Sequence, residues 1–184
     1  MKNKNILLAL GLILLAVVTR LVPHYPNFTA VGAMALFAGA TLKNKPLAFA
    51  LPLVAFWLSD LVINNVIYAQ YTEGFAWFTH GFVYQALAIV LITLLGGFLS
   101  NKGTKSRVVL GGLLATVLFF LVSNFGVWQS GTMYPHHLGG LMAAYTAGIP
   151  FALQGTLLST VFYSAILFGV YDYLTKSSAV TQTA

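Results

Sequence analysis

An aspartate stands inside an apolar run, Phe56-Trp57-Leu58-Ser59-Asp60, and an arginine closes another, Val17-Val18-Thr19-Arg20. Ionisable groups at such places are costly in hydrocarbon, so each calls for a partner and marks a candidate functional site. Both fall toward the same ends of their segments, which predicts an Arg20–Asp60 pair. The pair reads either as a structural tie or as part of a ligand pocket. No second acidic residue forms a relay with Asp60, which argues against proton coupling. Asp172, in Val170-Tyr171-Asp172-Tyr173, reads as interfacial and structural.

Four histidines, His24, His80, His136 and His137, invite a metal reading. The adjacent His136-His137 lacks helical spacing and has no acidic neighbour, whereas zinc sites need three or four well-placed ligands. The set therefore stands as the alternative reading, an intramembrane metalloprotein or enzyme. Hydrogen bonding or ligand contact is the first reading of these side chains. Phe75, Trp77, Phe78, Phe82 and Tyr84 cluster before and within one apolar segment. They read as an interfacial belt or as a stacking platform for a flat organic ligand. Amides at Asn27, Asn64, Asn65, Gln85, Asn124 and Gln129 lie near the same level, which favours the platform and a small heteroaromatic molecule. There is no Walker A sequence, HExxH, nucleophile elbow or CxxCH, and with no cysteine there is no thiolate site. No catalytic residue is assigned and the chain does not read as an enzyme.

The elements that must position these groups follow from composition. Of 184 residues, 59% are hydrophobic and 7% charged, far below the roughly one quarter charged in soluble domains. Soluble enzymes, secreted disulfide modules and disordered regulators are excluded. The net charge of +6 comes from basic residues scattered between apolar segments, so no nucleic-acid partner is implied. The fold class expected is all-α: a single integral membrane domain over residues 1–184, with spans near Ile6–Val22, Thr29–Leu42, Leu47–Tyr68, Gly81–Ser100, Val108–Val127 and Phe151–Leu174. The first would be about 26 Å long, and the second is short. An N-terminus in the cytoplasm places Lys2, Lys4, Lys43, Lys45, Lys102, Lys105, Arg107 and Lys176 inside and leaves Arg20 outside. The positive-inside rule thus sets both termini cytoplasmic. The outer connections, residues 23–28, Ala69–His80 and Trp128–Pro150, then hold all four histidines, and the long third one reads as a lid or re-entrant segment.

Three blocks add a resemblance. Arg20-Leu21-Val22-Pro23-His24-Tyr25-Pro26-Asn27-Phe28-Thr29, then Ser123-Asn124-Phe125-Gly126-Val127-Trp128 with Tyr134-Pro135, then Tyr145-Thr146-Ala147-Gly148-Ile149-Pro150-Phe151 resemble an uncharacterised family of bacterial six-helix membrane proteins. The architecture is similar to that of S components, the substrate-binding subunits of energy-coupling-factor (ECF) vitamin transporters. That resemblance implies a multi-pass protein of the bacterial inner membrane that takes up a small vitamin-like molecule captured at the outer face. It also implies a partnership with a scaffold subunit driven by ATPases, reached through Ala35 and Gly39, a small-xxx-small pair. The candidate ligand-binding residues are Arg20, His24, Asn27, Phe28, Asp60, Trp77, His80, Tyr84, Asn124, Trp128 and Tyr134. No cofactor is expected. Cobalamin is a conceivable substrate, with His80 as the cobalt ligand. A structural or assembly subunit of an envelope complex is the remaining alternative.

Overall fold

The computed structural model describes the backbone of residues 2–22, 25–71 and 74–180 and the side chains of 6–22, 25–71 and 74–175. His24 therefore lies outside the described residues, as do Pro23 and Glu73. The described chain is all helical. Seven α-helices run α1 Lys2–Leu21, α2 Val31–Thr41, α3 Lys45–Val62, α4 Phe82–Phe98, α5 Thr104–Ser130, α6 Leu138–Phe151 and α7 Leu158–Val180. Two wide π-helical segments extend the set: Ile63–Ile67 continues α3, and Ala152–Leu157 joins α6 to α7. Three continuous helical stretches, Lys45–Ile67, Thr104–Ser130 and Leu138–Thr175, are long and apolar enough to cross a membrane. The apolar part of α1, α2 and α4 are shorter. Leu15, Val83, Phe98 and Leu158 lie exposed on outward faces, the arrangement expected when the surroundings are lipid rather than water.

The short second segment is the pillar of the bundle. Every residue from Val31 to Gly39 is buried, and α2 packs against α1, α3, α4, α5 and α7. A helix apolar on all sides belongs inside a bundle, and eleven residues suffice because protein surrounds it. Small residues let it approach α4 backbone to backbone. A Cβ at Gly39 would fall on the Thr93 carbonyl oxygen, and one at Gly96 on the Leu36 carbonyl oxygen. Ala35 is 0% exposed and Gly39 lies against the α4 backbone, so the small-xxx-small pair packs within the described bundle.

Most of the expected Trp128–Pro150 connection is helical rather than loop. Helix α5 persists to Ser130, residues 131–137 make a short connection, and α6 begins at Leu138, where His137 Nδ1 accepts a hydrogen bond from the Gly140 amide at 3.3 Å. Pro150 lies inside α6. It has no N–H to donate and its ring crowds the carbonyl one turn back, and the π-helical segment follows at once. At the end of α3 the cause is different. Asn64 and Asn65 turn their amides back onto the carbonyls of Asp60 and Leu61, at 2.7 and 2.9 Å, satisfying acceptors that a widening helix releases.

A cavity at the convergence of six helical segments

The last turns of α1, α3 and α5, the first turns of α2 and α4, and the α6–α7 junction meet around one cavity of about 480 Å³. Lys43, Lys45, Lys102 and Lys105 lie at the opposite ends of these helices.

One wall is electrostatic. The Arg20 Nη2 donates to Asp60 Oδ1 at 2.8 Å, and both side chains are nearly buried, at 12% and 11% exposure. Nη1 donates to the Phe56 carbonyl at 3.2 Å and to Ser59 Oγ, and the guanidinium lies 4.5 Å from the Phe56 ring centroid. Thr79 donates to the second carboxylate oxygen, Oδ2, at 3.1 Å. The pair expected from the sequence is thus present. It ties α1 to α3 and to the segment before α4, and it contributes no net charge to the cavity.

A second wall is amide and hydroxyl. Asn124 donates from Nδ2 to the Phe120 carbonyl at 2.9 Å, and its Oδ1 lies over Gly148, where a Cβ would collide with it. Asn27 lines the same space from a left-handed backbone conformation, φ 60°, which asparagine tolerates better than most residues. The turn that carries it is held against the π-helical segment. Tyr25 Oη donates to Gln154 Oε1 at 2.6 Å, and Gly155 lets the Pro26 carbonyl come close, since a Cβ there would overlap it. Gln85, Thr29, Ser123, Thr156 and Thr160 add polar groups, and Phe56, Phe119, Phe120 and Phe151 supply apolar wall.

Five of the expected residues line this cavity: Arg20, Asn27, Asp60, Asn124 and Tyr134. Five others serve elsewhere. Phe28 packs on the rings of Phe162 and Tyr163. Trp77 is 60% exposed, stacks edge-on to Phe75 at 4.7 Å, and its carbonyl accepts the Trp57 indole N–H at 3.2 Å. Tyr84 packs on Phe125 and shares a neighbouring recess with the exposed His80. Trp128 donates to the Pro135 carbonyl at 3.0 Å and stacks on His136. The histidines thus divide. His137 caps α6, His136 meets Trp128, and His80 lies outside the main cavity. Among the described residues no group of three or more His, Cys, Asp or Glu is placed to hold a metal ion.

Asn65 fastens the segment between α3 and α4. Its side chain donates to the Ala76 carbonyl at 2.9 Å and accepts from the Ala76 amide at 2.7 Å. Asn65→Ala removes both and is expected to weaken the segment locally by about 1–3 kcal/mol. Hydrogen exchange at the Ala76 amide should then accelerate by about tenfold or more, with exchange in α2 unchanged. Unaltered Ala76 exchange would show that something else holds the segment.

Residues 1–182 match the model of a family described as a family of unknown function, DUF6580. The chain belongs to the DUF6580 family. No curated protein matches it, and no solved structure does. Membership brings no activity with it, so what this DUF6580 chain does is argued from the cavity.

Proposed function

We propose that the protein is a substrate-binding membrane protein that captures a small, uncharged, vitamin-like organic molecule in this cavity for uptake. The observation that carries the reading is the cavity itself. Its volume lies within the range of about 300–1,000 Å³ typical of small-molecule sites. The lone Arg20–Asp60 pair cancels its own charge, so a charged ligand would find no counter-ion. The amides of Asn27, Gln85 and Asn124 and the aromatic walls match a flat molecule with hydrogen-bonding edges.

In this reading the six helical rods form a bundle in the bacterial cytoplasmic membrane, the α6–α7 rod counting as one. The basic connections lie inside, both termini are cytoplasmic, and the cavity faces outward. The likeness to S components rests on this architecture. A scaffold subunit with ATPases would have to engage some surface other than α2. Cobalamin is not favoured, because His80, the residue held ready as cobalt ligand, stands apart from the cavity.

Gentle purification followed by solvent extraction and mass spectrometry tests the reading. The native chain should retain a stoichiometric small molecule. Asn124→Ala should lower the retained fraction, since losing one cavity hydrogen bond weakens binding by about 0.5–1.5 kcal/mol. Trp77→Ala, outside the cavity, should leave the fraction unchanged. An empty native chain that also shows no thermal shift with uncharged heteroaromatic compounds would sink the proposal.

A further inference from the structure

Helix α7 carries a buried stripe that leads away from the cavity. Thr160, which lines the cavity, is followed at four-residue intervals by Ser164, Phe168 and Asp172, a spacing that stacks side chains along one winding face. Thr160, Ser164 and Phe168 are 1%, 0% and 0% exposed. The Ser164 hydroxyl is fully buried with no hydrogen-bond partner. Helical serines and threonines in this bundle usually donate to the carbonyl one turn back, as Thr93 and Thr116 do. A buried orphan hydroxyl costs about 1–3 kcal/mol and is free to bond a polar group that reaches it.

Below Ser164 the stripe is closed. Phe168 meets Phe37 of α2 edge-on, with centroids 5.2 Å apart. The Arg107 guanidinium of α5 covers Phe168 at 5.1 Å and reaches Asp172 at 3.8 Å, and Thr104 of α5 donates to the same carboxylate. These parts repeat those at the cavity, where Arg20 covers Phe56, pairs with Asp60, and Asp60 accepts from a threonine. Each end of the bundle thus has an arginine over a phenylalanine, locked to an aspartate.

We propose that the Thr160–Ser164–Phe168–Asp172 stripe is the inward exit route for the bound molecule, plugged by Phe37 and Phe168 and latched between α5 and α7 by Arg107, Thr104 and Asp172. The proposal rests on the binding reading above and adds to it that release needs the inner end of α7 to part from α5 and Phe168 to leave Phe37 of α2. The two hydroxyls at its cavity end, Thr160 and Ser164, suit an uncharged polar molecule, as the cavity does.

The chain has no cysteine, so Ser164→Cys presents a single thiol. In sealed vesicles, a membrane-impermeant methanethiosulfonate cation is supplied at the face where Lys102→Cys reacts. Ser164→Cys should react slowly while the latch is intact. Adding Asp172→Asn or Phe168→Ala should raise the open population from about 1% to about 10%, a rate increase of about tenfold. Ile166→Cys, on the outward face of α7 at 40% exposure, should stay unreactive throughout. Asp172→Asn keeps side-chain size, so a result survives if Phe168→Ala fails to fold. Equal Ser164→Cys rates with and without the latch, or a parallel rise at Ile166→Cys, would overturn the route. A chain that still retains its co-purified molecule while those rates stay equal would lose the route and keep the cavity.

Discussion

Arg20→Met is expected to destabilise the protein by about 3–5 kcal/mol, the penalty of leaving a nearly buried carboxylate without its counter-charge. Asp60 would keep only Thr79 on Oδ2, while Ser59 and the Phe56 carbonyl would lose their Arg20 bonds. Denaturation in mild detergent, followed by tryptophan fluorescence, gives the measurement. The companion variant separates a missing partner from a missing pair. In Arg20→Met/Asp60→Leu both charges are gone, and replacing a buried pair with apolar groups of similar size is often neutral or stabilising. The double variant should therefore recover most of the loss. A single-variant cost below about 1 kcal/mol would place the pair with exposed surface bridges, and a double variant as unstable as the single one would mean that packing, not charge, is what Arg20 supplies. Arg107→Met should cost less, because its pair with Asp172 is longer, at 3.8 Å, and more exposed.

That pair was also the most legible feature of the sequence. A charge in an apolar run is rare enough that two of them at matching depth predict each other, and Arg20 and Asp60 meet as expected. Asn27, Asn124 and Tyr134 could be placed near the same level but not on the same wall, because which way a side chain turns depends on helix rotation. The exposed aromatics lie outside the cavity for a physical reason. Trp77 and Phe75 pack on each other in the segment before α4, and Trp57 of α3 donates to the Trp77 carbonyl, so their richness reports local packing rather than the cavity. Helix α6 was disguised. The stretch read as one long connection, yet Gly140 and Gly148 permit close contacts with Pro135 and Asn124 and Pro150 is absorbed by a wide turn. Thr156 and Thr160 gave no signal at all, since hydroxyls in an apolar helix are usually consumed by their own backbone. Six apolar stretches were readable, and all six are helical. Three of them fall short of a span in length or composition, and for α2 the reason is its enclosure by other helices.

Adding one methyl group at Gly39 is expected to cost about 2–3 kcal/mol, at the upper end of ordinary overpacking. The obstruction is not the tip of a side chain that can rotate away. A Cβ at Gly39 would fall on the Thr93 carbonyl oxygen, with the Gly97 amide nitrogen also within reach, so α2 and α4 must separate. Helix α2 is walled by five other helices, and moving it off α4 presses it into the rest. Gly11→Ala is the matched control, the same atom added on α1 where nothing lies within 4 Å. It should be neutral or stabilise by up to about 1 kcal/mol through helix propensity. Gly96→Ala strikes the same contact from the other side, against the Leu36 carbonyl. Once the helices have parted for one methyl, the second finds room already made, so Gly39→Ala/Gly96→Ala should cost less than the sum of the two single variants. Thermal midpoints of the four purified variants decide the matter. Additive losses at Gly39 and Gly96 would mean two separate contacts rather than one shared approach. A Gly39→Ala variant as stable as Gly11→Ala would mean that α2 does not press on α4 here, and the small residues of α2 would then be free again to face a partner.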